Sequence, residues 1–165
     1  MATATQLAWL KTMVVPAQLT QAKWGVPASV TLAQCILESG WGQSQLALLC
    51  HNFFGVKAVS GQAYEQFPTR EVVKGRSVME LASFAQYACP LDSFDAHAAL
   101  LAKSSRYAPA MRHTGDPSAF ASALRVCGYS TEPGYALSLV ELIQEFGLEQ
   151  YDTLPPDDPA VQEAA

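Results

Sequence analysis

From Ser29 to about Ser39 the sequence spells a helix that is apolar on nearly every side. Val30, Leu32, Ala33, Cys35, Ile36 and Leu37 leave it no continuous polar face. Such a helix has to be surrounded by other elements, so it marks the centre of the fold. Pro27-Ala28-Ser29 opens it, and Gly40 and Gly42 end it in the manner of C-terminal caps. Glu38 stands in its last turn. There, loss of hydration and the negative end of the helix dipole both oppose ionisation and raise the carboxyl pKa. A carboxylic acid protonated near neutrality is what glycosidic bond cleavage needs to protonate a leaving oxygen. By position alone, Glu38 reads equally as a helix-end carboxylate turned to solvent. Gln34, one turn earlier on the same face, is within reach of either the acid or a bound sugar. In Ser39-Gly40-Trp41-Gly42 an aromatic ring sits between two glycines, an arrangement that suits close approach of a ligand to the backbone, with Trp41 packing or stacking.

The remaining pattern predicts a mainly helical α+β domain. Helical spacing runs from Gln6 to Trp24, where Pro16 is placed for a restart, and over Gln43 to Leu49. Between Val56 and Tyr87, short stretches punctuated by Gly61, Pro68 and Gly75 predict hairpin strands. Helices return at Phe94 to Lys103, Pro117 to Val126 and Pro133 to Phe146. At 165 residues the chain fits one core, assigned to residues 1–150. Residues 151–165 are acidic, rich in proline and poor in large apolar side chains, which predicts a flexible tail.

Composition removes several classes of function. The net charge is −5, and Lys and Arg cluster nowhere more densely than in Arg70 to Arg76, with the period of a strand; nucleic acid is not expected as a partner. No apolar run approaches the roughly 18 residues of a membrane span, and the first residues lack the pattern of a signal peptide. Cys35, Cys50, Cys89 and Cys127 form no C-x-x-C pair and His51, His97 and His113 have no metal-ligand spacing. No metal or cofactor is expected. The cysteines read as buried reduced thiols, with three pairings open in an oxidising compartment. His97 and His113 read as surface or capping residues.

Four segments carry a resemblance. Leu32 to Gly42, containing Glu38-Ser39-Gly40-Trp41-Gly42, together with Asn52-Phe53-Phe54-Gly55-Val56-Lys57-Ala58, resembles the glucosaminidase family, glycoside hydrolase family 73. Ser105-Arg106-Tyr107-Ala108 is similar to that family's N-x-R-Y-A stretch. Cys127-Gly128-Tyr129-Ser130-Thr131-Glu132-Pro133-Gly134-Tyr135-Ala136 is similar to its G-Y-A-T-D-P-x-Y-A signature, with Glu132 where Asp is usual. Met79 to Tyr87 follows the family's K-F-R-x-Y strand only loosely.

The resemblance implies a lysozyme-like fold, with an α lobe and a small β-hairpin lobe flanking a glycan groove, and cleavage of peptidoglycan after N-acetylglucosamine. It puts Glu38 on the catalytic acid. It makes Glu71, in Pro68-Thr69-Arg70-Glu71, the candidate base with Glu65 as competitor, and aligns Tyr129 with a functional tyrosine. Gln34, Trp41, Asn52, Phe54, Tyr107 and Tyr135 are the substrate-binding candidates; Phe53, Phe54, Tyr107 and Tyr135 read equally as packing. Two carboxyls roughly 6.5–9.5 Å apart would mean inversion and about 5–5.5 Å retention, while a third route uses the substrate's acetamido group. A muramidase or lytic transglycosylase on the same fold, or a wall-binding module without turnover, remain alternatives. The expected partner is the glycan strand, the expected place of action is the bacterial cell wall in periplasm or exterior, and the sequence leaves the export route and any immunity partner open.

Overall fold

The computed structural model describes residues 2–73 and 76–152, with the backbone alone for 70–73, 76 and 77. Six α-helices and one two-stranded hairpin appear among them. α1 (Ala4–Trp24) starts from a capping box in which Thr3 accepts from the Gln6 amide and Gln6 reaches back to the Thr3 amide. It runs through Pro16 without restarting. α2 (Ala28–Ser39) is the helix that is apolar all round, and every residue from Ala28 to Ile36 is buried. α1 and α6 (Tyr135–Glu145) pack against α2, α5 (Pro117–Val126) packs against α6 and also touches α2, and α4 (Pro90–Lys103) lies on α1. Leu32, Phe94, Leu101, Phe120, Leu124 and Leu139 are fully buried in this α lobe, each such side chain contributing about 1.5–3 kcal/mol.

The turn after α2 has an unusual backbone. Gly40, Trp41 and Gly42 have φ of +56°, +60° and +73°, three left-handed residues in a row. Only glycine takes this conformation without strain, so the middle residue needs support. Trp41 receives it by packing edge-on to Phe146 at 5.2 Å and to Trp9 at 6.1 Å. At Gly42 a side chain is excluded outright: a Cβ there would lie 2.5 Å from the Trp9 indole. The approach that Gly42 permits is therefore that of α1.

After α3 (Gln45–Cys50), the β lobe is one long hairpin rather than several short strands. β1 (Tyr64–Val73) pairs antiparallel with β2 (Arg76–Ala85), in a register from Tyr64 opposite Ala85 to Val73 opposite Arg76. Pro68 lies inside β1 opposite Leu81. A two-stranded ribbon consists of edge strands, where a missing N–H is tolerated, so this proline does not punctuate the strand. Asn52, 1% exposed, ties the hairpin base to the α lobe: its Nδ2 donates to the carbonyls of Val56 and Ala85, and its Oδ1 accepts from the Val56 amide.

The helical unit extends past the expected boundary at residue 150. A 3-10 turn, Leu148–Tyr151, buries Leu148, and Asp152 then accepts from the Ser29 amide at 2.8 Å and the Ser29 hydroxyl at 2.7 Å. Gln18 and Gln21 hold the Tyr151 and Asp152 carbonyls. α2 has no side-chain cap of its own at Pro27, so Asp152 satisfies its N-terminus from the far end of the chain. The rest of the predicted tail, 153–165, lies outside the described residues. Among the cysteines, Cys35 and Cys50 are buried thiols as expected, whereas Cys89 is exposed and Cys127 half-buried; all four are free. Replacing Asp152 by Ala removes two charge-assisted hydrogen bonds and should destabilise the fold by about 2 kcal/mol. Thermal denaturation should show Tm falling by about 4–8 °C; an unchanged Tm would mean the contact contributes nothing.

Candidate active site

α2 presents Glu38 at the wall of a cleft between the helical lobe and the base of the hairpin. The cleft has a volume of about 590 Å³ and is lined by Glu38, Phe54, Gln62, Tyr87, Tyr107 and Tyr129, among others. Glu38 is partly buried. Both its oxygens are held by phenols: the Tyr135 hydroxyl donates to Oε1 at 3.0 Å and the Tyr129 hydroxyl to Oε2 at 3.2 Å. Behind Tyr135, the Gln34 amide Nε2 donates to its hydroxyl at 2.7 Å.

The carboxyl is pulled two ways. Burial raises its pKa, and the hydrogen bonds from Tyr135, Tyr129 and Gln34 lower it, leaving it raised from 4.5 to about 7. Desolvation wins because a carboxylate loses more hydration than two phenols replace. The phenols are pushed up in turn, first by burial and then by the negative Glu38, so they stay protonated as donors. Glu38 alone among these three groups changes charge near neutrality.

Two further segments hold the tyrosines. Arg106 donates through Nε to the Cys127 carbonyl at 2.7 Å and through Nη2 to the Gly128 carbonyl, and its guanidinium lies over the Tyr107 ring. Gly128 has φ +75°, and a Cβ there would come within 2.7 Å of Arg106 Nη2. The S-R-Y and C-G-Y segments are thus two halves of one clamp that delivers Tyr129. Tyr129 stacks on Tyr135 with centroids 5.6 Å apart and leans on Tyr107 at 5.9 Å.

The candidates read from the sequence divide into groups. Glu38, Phe54, Tyr107 and Tyr129 line the cleft. Tyr135 and the fully buried Gln34 stand behind Glu38, so Gln34 has the acid's cradle and not a sugar for a partner. Trp41 and Asn52 serve the turn and the hairpin base. Glu65 is exposed on β1 opposite Phe84. The Glu71 backbone pairs with Val78, and its side chain lies outside the described residues.

His97 corrects the sequence reading. It is fully buried, not a surface or capping residue; its Nε2 lies 3.1 Å from the Tyr129 hydroxyl, and Phe54 stacks on it at 4.0 Å and 14°. A signal for this was present, because Phe94, His97, Ala98 and Leu101 follow the i, i+3, i+4, i+7 spacing of a buried face. His113 is exposed, as expected. Gln62 and Tyr87 also line the cleft; Gln62 carried no motif, and Tyr87 stood only at the end of the loosely similar Met79 to Tyr87 strand. Among the described residues, no group of three or more His, Cys, Asp or Glu is placed to hold a metal ion, and no helix is long and apolar enough to cross a membrane.

A cleft between a helical lobe and a β hairpin, with one raised-pKa carboxyl at the end of the central helix, defines a lysozyme-like glycosidase domain. The family model described as mannosyl-glycoprotein endo-beta-N-acetylglucosaminidase matches residues 15–148, and the chain belongs to this glucosaminidase family, glycoside hydrolase family 73. It is 35% identical over 145 residues to exo-glucosaminidase LytG of Bacillus subtilis, covering 85% of this chain and 51% of LytG. It is 37% identical to peptidoglycan hydrolase FlgJ of Escherichia coli K12, covering 84% of this chain and 46% of FlgJ. The chain thus spans about half the length of these relatives. The catalytic domain of the autolysin Auto from Listeria monocytogenes superposes with a TM-score of 0.82 at 28% identity, covering 92% of this chain and 90% of that one.

Burial of Glu38 also predicts a pH-dependent cost in stability. Its folded pKa of about 7 lies above the 4.5 of the free group, so between these values the unfolded chain holds fewer protons than the native one. Stability therefore falls as pH rises through that window, by roughly 3 kcal/mol in all. Glu38→Gln should recover about 2 kcal/mol of this at pH 8 and little at pH 4.5, read as a Tm gap over wild type that widens with pH. A gap that does not change with pH would contradict the raised pKa.

Proposed function

We propose that this chain is a peptidoglycan hydrolase, an endo-β-N-acetylglucosaminidase acting at the bacterial cell wall, in the periplasm or outside the cell. The observation that carries the reading is the Glu38 carboxyl, fixed through both oxygens at the cleft wall, with burial raising its pKa to about 7. An acid of that pKa is matched to proton delivery at neutral pH. The names of LytG and FlgJ supply the substrate class. The 590 Å³ cleft is of a size to hold several sugar rings.

In this reading, Glu38 gives its proton to the leaving glycosidic oxygen as the bond from C1 breaks and positive charge builds on the sugar. Water then adds at C1. Glu71 on the hairpin accepts the water's proton, with Glu65 as the alternative on the same strand, and Tyr129 stabilises developing charge beside the reacting carbon. No step requires a metal or organic cofactor. Phe54 and Tyr107, on the cleft wall, offer apolar ring surface to the glycan.

Mass spectrometry of borohydride-reduced fragments from purified peptidoglycan tests this directly. Wild type should release fragments ending in reduced N-acetylglucosamine, and Glu38→Gln should release at least about 100-fold less while remaining folded. Cleavage should decline as pH rises through about 7, because Glu38 then loses the proton it must donate. Reduced muramic ends would identify a muramidase and 1,6-anhydro ends a transglycosylase. Sedimentation with wall material without fragment release would identify a binding module.

A further inference from the structure

The hydrogen bonds around Glu38 leave one proton position to be decided. Tyr129 has a single hydroxyl proton and two close partners, Glu38 Oε2 at 3.2 Å and His97 Nε2 at 3.1 Å. Whichever partner receives the proton, the other must meet a lone pair. If His97 carried its proton on Nδ1, Nε2 would be an acceptor and Tyr129 would have to donate to it. While Glu38 is ionised, the phenol oxygen and the carboxylate would then face each other without a proton between them. In addition, a buried N–H would be left unmatched, because Nδ1 finds no partner among the described residues. Orphaned buried N–H groups are rarer than under-satisfied acceptors. With the proton on Nε2, both penalties vanish: His97 donates to Tyr129, Tyr129 donates to Glu38, and only a bare Nδ1 lone pair remains unmatched.

We infer that His97, held as the neutral Nε2–H tautomer, is a positioning residue that fixes the Tyr129 hydroxyl as a donor to Glu38. Its link to catalysis rests on the role proposed above for Glu38. Gln34 does the same from the other side, since its Nε2 can only donate to Tyr135 and so leaves the Tyr135 proton for Oε1. The carboxyl thus receives one phenolic proton on each oxygen, each supported by a buried nitrogen donor. Its own proton is left to the remaining lone pairs.

His97 is suited to this role by its surroundings. It is 0% exposed, covered on one face by Phe54, and burial pushes its pKa down to about 3. The titratable groups around it are Tyr129 in direct contact, with Tyr107, Tyr135 and Glu38 reached through Tyr129. Burial holds the Tyr129 and Tyr135 phenols in their protonated form near neutrality. A charged imidazolium would donate from both nitrogens and bury a second charge beside Glu38; neutral His97 supplies a donor without one.

Nitrogen-15 correlation spectra of the imidazoles in the folded protein test this without any assay of activity. The expected result is an unprotonated Nδ1 and a protonated Nε2 for His97, unchanged from pH 8 to pH 5. The opposite tautomer, or titration near the ordinary histidine value of about 6.5, would overturn the inference. Kinetics on peptidoglycan adds a second reading. His97→Gln, which keeps an N–H donor, should retain kcat within about 3-fold, whereas His97→Leu should lose about 10-fold in kcat with little change in KM. The alkaline limb of the His97→Leu profile should move to higher pH, because a loosened Tyr129 supports the Glu38 anion less well. A leucine variant with wild-type kcat and pH profile would also overturn it. If wild type cleaves no glycan, the proposed function fails while the tautomer still decides this inference; if His97→Leu does not fold, the spectra alone decide it.

Discussion

The placing of a carboxyl group at the end of a helix that has no solvent face is the constraint on which the rest of the structure depends. α2 is buried along almost its whole length, so Glu38 leaves water without reaching an ion pair among the described residues that would repay the loss. Two tyrosines repay part of it, and they come from segments nearly a hundred residues further along the chain. The remaining imbalance makes the group an acid of useful strength. A salt bridge at the same place would have held the carboxyl ionised and made it a poor proton donor.

Much of the helical lobe is built to bring those tyrosines back to α2. α5 and α6 pack together and on α2, the Arg106 guanidinium gathers the carbonyls at Gly128, and Tyr135 opens α6 with its hydroxyl against the acid. The hairpin is attached differently. The Asn52 side chain ties its base to the helices, with one hydrogen bond to Ala85 of β2 and two to the neighbouring Val56, while Tyr64, Met79 and Leu81 remain exposed along it. One side of the cleft is thus set by core packing, and the other by a polar hinge point beneath an otherwise outlying ribbon.

The fold class was legible because its main signals are local. The apolar cylinder of α2, the glycines after it and the proline openings of later helices are written within a few residues of where they act. The raised pKa of Glu38 was legible for the same reason, belonging to a carboxyl at a fixed place on such a helix. What was not legible involves partners remote in sequence. Nothing near Trp41 indicates that Trp9 and Phe146 will enclose it, and nothing near Asn52 indicates that its amide will meet Ala85 instead of a sugar. Asp152 read as the start of a tail because its composition is tail-like; its partner, Ser29, is 123 residues away. His97 is the exception. Its helical spacing points inward, whereas the surface reading rests on the lack of a neighbouring nucleophile, which says nothing about burial.

The contact between Trp9 and Gly42 bears on where this catalytic unit begins. The family model starts matching at residue 15, yet the indole of Trp9 fills the space that Gly42 leaves, and Leu10 and Met13 are buried in the same core. A fragment excised at the edge of the family match would keep Glu38 and all its hydrogen-bonding partners. It would nevertheless lose the surface on which the left-handed turn after α2 rests. The physical unit is longer than its recognisable signature, and the first three turns of α1 belong to the site's foundation although they reach none of the reacting groups.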